Sequence, residues 1–67
     1  MSNSQYTLPE AASELMESGF GVIPNDAHTA IEVGLNRKVT TGEVKAVIGW
    51  DTSLTVRQNG NKVIVSE

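Results

Sequence analysis

Cysteine is missing from this 67-residue chain, which excludes disulfides and thiolate metal centres. Histidine occurs once, at His28, too few to build a zinc site alone. The aromatic residues are Tyr6, Phe20 and Trp50, so aliphatic side chains must fill most of any core. No apolar run approaches the roughly 20 residues that cross a bilayer. Met1 to Gln5 lack the basic start and apolar stretch of a signal peptide. These absences point to a soluble, cytoplasmic chain with no membrane partner, no metal and no cofactor. The most uneven absence is that of positive charge. Residues 1–36 hold five acids (Glu10, Glu14, Glu17, Asp26, Glu32) and no base, a net −5. Residues 37–67 hold all five bases (Arg37, Lys38, Lys45, Arg57, Lys62) against Glu43, Asp51 and Glu67, a net +2. So one-sided a distribution implies two faces with different partners.

The length allows a single domain over 1–67, with residues 1–5 expected to be a flexible N-terminus. A chain this short buries only about 60% of its unfolded surface. It gains stability by associating, and a homodimer is among the expected partners.

Thr7-Leu8-Pro9-Glu10 has the spacing of a capping box, with Pro9 in the first turn and Tyr6 placed to staple onto Ala11. Leu8, Ala11, Ala12, Leu15 and Met16 recur at helical spacing, and Gly19 is a natural stop. A helix over 8–18 follows, with Glu10, Glu14 and Glu17 on its wet edge. Gly21-Val22-Ile23-Pro24 reads as an extended bridge or short strand. Asn25 or Asp26 can cap a second helix at about 26–34, carried by Ala27, Ala30, Ile31 and Gly34. Leu35 to Val39 reads as a turn. Thr40 or Thr41 can cap a third helix at about 41–48, where Thr40 and Glu43 again fit a capping box. Val44, Val47 and Ile48 would face the core. Gly49 would end the helix, and Trp50 would fold back as the main packing anchor. Ile31, Val33 and Leu35, like Val44, Ala46 and Ile48, also alternate, so a strand reading of 27–49 stays open.

Asn59-Gly60 between alternating runs signals a type I′ hairpin of 53–58 with 61–66. That register puts Leu54, Val56, Val63 and Val65 on one face. It sets Arg57 directly opposite Lys62, a like-charge pair that an anion would relieve. The expected fold is therefore α+β, three short helices followed by a C-terminal β-hairpin, winged-helix-like. The alternative is one N-terminal helix packed on an antiparallel sheet. No internal repeat, linker or low-complexity segment is legible.

The element order, Ala30 to Leu35 as the first half of a helix-turn-helix, and the Leu54-Thr55-Val56…Asn59-Gly60…Val63-Ile64-Val65 hairpin resemble small phage Cro-type and excisionase-type winged helix-turn-helix proteins. The resemblance spans residues 7–65 in outline. Thr40 stands where that pattern has Val or Ile. It implies a transcription regulator binding duplex DNA through a basic turn, the third helix and the hairpin wing. Arg37, Lys38, Lys45, Arg57 and Lys62 would meet phosphates, while Asn36, Thr40, Thr41 and Gln58 would supply polar tips. A calculated pI near 4.9 argues against that role.

The competing expectation is a small acidic inhibitor or adaptor that captures a basic protein partner. Glu10, Glu14, Glu17, Asp26 and Glu32 would be its surface, and in size and charge it is similar to phage anti-host and anti-CRISPR proteins. No paired carboxylates in a cleft, nucleophile elbow or phosphate loop is present, so no enzyme and no small-molecule substrate are expected.

Overall fold

The protein is described by a computed structural model covering residues 6–67. The expected flexible segment 1–5 lies outside the described residues. The first helix, α1 (Leu8–Glu17), begins as its sequence dictates. The Thr7 backbone N–H donates to Glu10 Oε1 at 2.9 Å, and the Glu10 N–H donates to Thr7 Oγ1 at 3.4 Å. The helix stops at Gly19, whose φ is +97°. The Phe20 N–H donates to the Leu15 carbonyl and the Gly19 N–H to that of Met16, each at 3.0 Å. That pair of bonds is the Schellman closure. A second helix, α2 (Thr41–Ile48), repeats the opening with Thr40 and Glu43 and ends at Gly49, φ +107°.

Between the helices the chain is extended, against the expected helix at 26–34. Strands β1 (Gly21–Pro24) and β2 (Ala30–Gly34) form an antiparallel hairpin, Val22 opposite Val33 and Ile23 opposite Glu32. Asn25 does cap something, but it caps the loop. Its Oδ1 accepts from the Thr29 and Ala30 N–H groups at 2.8 and 3.2 Å, and its own N–H donates to the Ala30 carbonyl at 2.9 Å. The local bonds that would have started a helix are spent reversing the chain. Alternation at Ile31 and Val33, both buried, then decides for a strand.

A second hairpin joins β3 (Thr55–Asn59) to β4 (Lys62–Ser66). The sheet runs β1-β2-β4-β3, antiparallel throughout. The architecture is α+β with two helices on a four-stranded sheet. Three helices plus a terminal hairpin is not the fold, and the helix-on-sheet alternative fits in part. A helix-turn-helix lacks its first helix here.

The hairpin register also differs from the expected one. Asn59 pairs with Lys62, Arg57 with Ile64 and Val56 with Val65. The turn is centred on Gly60-Asn61, with Gly60 at φ +62° in the first central position, as in a type II′ turn. A slip of two keeps every side chain on its expected face, so Val63 and Val65 are buried as foreseen. It also separates Arg57 from Lys62, so the like-charge pair does not exist.

Both helices cover one face of the sheet. The core unites Leu8, Ala11 and Leu15 of α1, Val44 and Ile48 of α2, and Ile31, Val33, Val63 and Val65 of the two inner strands, with Val39 and Leu54 from loops. Trp50 is no anchor: it is 69% exposed. Each helix precedes a hairpin, and β2 and β4 meet antiparallel at the centre. The chain is thus two αββ units related by an approximate two-fold axis normal to the sheet. The axis passes between Glu32 and Ile64, which are paired, and relates Thr7 and Glu10 to Thr40 and Glu43.

Candidate interaction surfaces

On the helical side, α1 turns one stripe toward the β1–β2 loop. Leu8, Ala12 and Met16 fall four residues apart, as do Pro9 and Ser13, and such residues share a helix face. Together with Pro24, His28 and Ile31 they line a groove of about 250 Å³. His28 reaches it from a left-handed backbone position, φ +59°, which histidine tolerates better than most residues. Met16 is 54% exposed, beside the buried stripe of Leu8, Ala11 and Leu15.

No acidic residue lines this groove, but two stand close in sequence to residues that do. Glu17 continues the Pro9–Ser13 stripe, and Asp26 sits in the loop between Pro24 and His28. The five acids expected to act together are otherwise dispersed. Glu14 is half-buried, and Glu32 is on the opposite face of the sheet. Glu10 is held by the Thr7 cap, whose backbone and hydroxyl hydrogen bonds lower its pKa.

The nine residues expected to contact nucleic acid divide into three groups. Asn36, Arg37 and Lys38 occupy the loop after β2. Thr41 and Lys45 belong to α2, on the helical side, and Thr40 is its N-cap. Arg57, Gln58 and Lys62 belong to the terminal hairpin, and Arg57 and Lys62 alternate with its buried positions, so they project from the bare side. No single face presents all five cations. Several are already engaged in holding the fold. Arg37 meets both carboxylate oxygens of Glu43, at 3.1 and 2.7 Å, and donates to the Lys38 carbonyl at 2.8 Å. Arg37 first, then the Thr40 backbone N–H, holds Glu43 down at a pKa of about 2. Thr40 is the helix cap, and Lys62 reaches Glu32 at 3.5 Å. Gln58 Nε2 donates to the Val39 carbonyl at 2.7 Å, clipping the loop before α2 to the hairpin. Lys38, Lys45 and Arg57 hold no ion pair among the described residues.

The bare side of the sheet was not foreseen as a surface, because 26–34 read as a helix. Its middle row, from edge to edge, is Ile23, Glu32, Ile64, Arg57. Ile23 is 62% exposed and Ile64 half-buried. The next row is Gly21, Gly34, Lys62, Asn59, and the Lys62 stem lies over Gly34, 3.2 Å from where a Cβ would stand.

No cluster of three or more His, Cys, Asp or Glu residues able to hold a metal occurs among the described residues. No described helix is long and apolar enough to cross a membrane. No protein-family model, curated protein or solved structure matches the chain.

Proposed function

We propose that this protein is a non-enzymatic interaction module that captures a basic, apolar-sided protein segment in the groove between α1 and the β1–β2 loop. The observation that carries this reading is an exposed, mainly apolar groove in the half of the chain that holds five acids and no base. Apolar side chains of the segment would cover Met16, Pro24 and Ile31. Its cations would meet Glu17 and Asp26. Opposite charge at the rim speeds and orients encounter, while the buried apolar contact supplies most of the affinity. Duplex-DNA binding ranks behind this reading. Its cations lie on both sides of the sheet, and two of the five are bonded to carboxylates.

The test is fluorescence anisotropy with a labelled twelve-residue peptide of alternating leucine and lysine, alongside a labelled DNA duplex. Saturable peptide binding is expected. Met16→Ser, which leaves charge unchanged, weakens it about 5-fold, the equivalent of about 1 kcal/mol of lost apolar contact. Glu17→Lys weakens it comparably at low salt and less at high salt. Peptide affinity indifferent to both substitutions, or duplex binding in place of peptide binding, overturns the proposal.

A further inference from the structure

Trp50 has no part in the core and none in the groove beside α1. It follows the Gly49 stop of α2 and is 69% exposed. A tryptophan can bury about 150–250 Å². Here the largest apolar side chain of the protein stands in water while the buried core is wholly aliphatic. We infer that the Trp50 ring is a stacking surface for the bases of a single-stranded nucleic acid, whose phosphates meet Lys45 and Lys38.

The ring is held where a strand can reach it. Val44 and Ile48 are the buried residues of α2. At about 100° per residue, Gly42 and Ala46 fall on the opposite side of that helix, toward water. The indole folds back over this side: its Cη2 atom lies 3.6 Å from where a Gly42 Cβ would stand. Gly42 gives the ring tip a resting place without enclosing it, so most of the ring surface stays open. A ring already placed loses less freedom when a ligand stacks on it.

The charges around the ring select the ligand. Lys45 is three residues from Gly42, a neighbour on the helix surface at about 5–6 Å between Cβ positions. It holds no ion pair among the described residues, and neither does Lys38, two residues before the α2 cap. Glu43 is neutralised by Arg37 at 2.7 Å. Arg37, Lys38 and Lys45 against Glu43 and Asp51 give residues 37–51 a net +1, in a chain whose total is −3. An anion is favoured there and a cationic partner is not. A neutral sugar would need hydrogen-bond partners around the ring. Gly42 and Ala46 have no side-chain donor or acceptor, and the Thr40 hydroxyl is engaged in the helix cap. The ligand that fits is flat, apolar on its faces and negatively charged at intervals. Unpaired bases on a phosphate chain have that chemistry, whereas a duplex hides the base faces. Stacking combined with cations along the backbone is sequence-tolerant, because every base has a π-face.

Trp50 is the only tryptophan, so its fluorescence reads stacking directly. The full chain is titrated at low salt with oligothymidylate and oligouridylate, each about fifteen nucleotides, and with a DNA duplex of equal length. Saturable quenching by the single strands is expected, weakening as sodium chloride is added. Quenching by only one of the two supports the inference and identifies the sugar. By anisotropy of the labelled strand, Trp50→Ala should lower affinity at least about 10-fold, and Trp50→Phe, which keeps a ring, should lower it less. Lys45→Glu should lower it about 5-fold at low salt and less at high salt. Circular dichroism should be unchanged in all three variants, since neither side chain belongs to the core. Met16→Ser, in the groove, should leave strand binding as it was. Absence of quenching by either single strand overturns the inference, as does a strand affinity that Trp50→Ala leaves intact. So does a duplex bound as tightly as the single strands. Peptide capture by the groove is read separately and stands or falls on its own.

Discussion

Glu43 shows how much one side chain can be asked to do. Its carboxylate closes the α2 cap and receives the Arg37 fork. Its pKa is about 2 in the folded chain against an ordinary 4.5. A carboxyl held below its unfolded value stabilises the fold above that value and loses its effect as pH falls through the folded one. Urea midpoints should therefore decline between pH 4.5 and 2. The gap between wild type and Glu43→Gln, open at pH 7, should close over the same window. Gln58 makes a complementary case. Gln58→Ala leaves the Val39 carbonyl without its side-chain donor and should cost about 1 kcal/mol in urea denaturation. The capping role of Glu43 was legible from the Thr40 spacing. The Arg37 partnership was not, because it joins a loop to a helix six residues on. Nor was the Gln58 clip, which spans 19 residues. Both side chains looked like nucleic-acid ligands because sequence shows polarity and not what satisfies it.

At the scale of elements, the terminal turn offers a sharp test. Asn59 is a strand residue paired with Lys62, and Gly60 alone carries the positive φ there. Asn59→Thr should leave stability within about 0.5 kcal/mol, as for an ordinary surface site. Gly60→Ala should cost about 1–2 kcal/mol, the penalty for an L-residue in left-handed backbone. A type I′ turn on Asn59-Gly60 would penalise both, so the two thermal melts distinguish the registers. Both helices were legible because each carries a cap, a spaced apolar stripe and a glycine stop. The strand at Ala30–Gly34 was not, because Asn25 and Asp26 resemble helix caps and Ile31 with Gly34 fits either period. Hydrophobic pattern could not place the second hairpin, since registers two apart bury the same residues. The contacts of Val39 with Gln58 and Asn61 fix it from outside the hairpin.

For the whole molecule, the duplicated αββ plan concentrates the core between two helices and two inner strands. Domains of this size have about 3–10 kcal/mol of total stability. Removing the Ile48 side chain beyond Cβ, fully buried against the second half of the sheet, should cost about 2–5 kcal/mol. Ile48→Ala should accordingly approach full unfolding at 25 °C, read by circular dichroism. The repeat escaped the sequence because its halves share roles and almost no residues: Ala11 answers Val44, Leu15 answers Ile48, Ile23 answers Arg57. The cap pair Thr7 and Glu10, answered by Thr40 and Glu43, and the strand valines Val22 and Val33, answered by Val56 and Val65, keep their identities. The uneven charge was plain from the start. Its distribution over the folded surface was not, because the sheet carries Glu32 away from the other acids and sets it among the cations of the second half.

The inner position of β4 has a cost in time. β2 is flanked by β1 on one side, but its other neighbour is encoded some 30 residues downstream. At a synthesis rate of about 5–20 residues per second, that strand waits roughly 2–6 s with an open row of amides and carbonyls. A growing chain with Ile31 and Val33 beside such an edge invites pairing with a neighbouring nascent copy. Slowed translation between Gly34 and Lys62 should accordingly lower soluble yield without altering the finished fold.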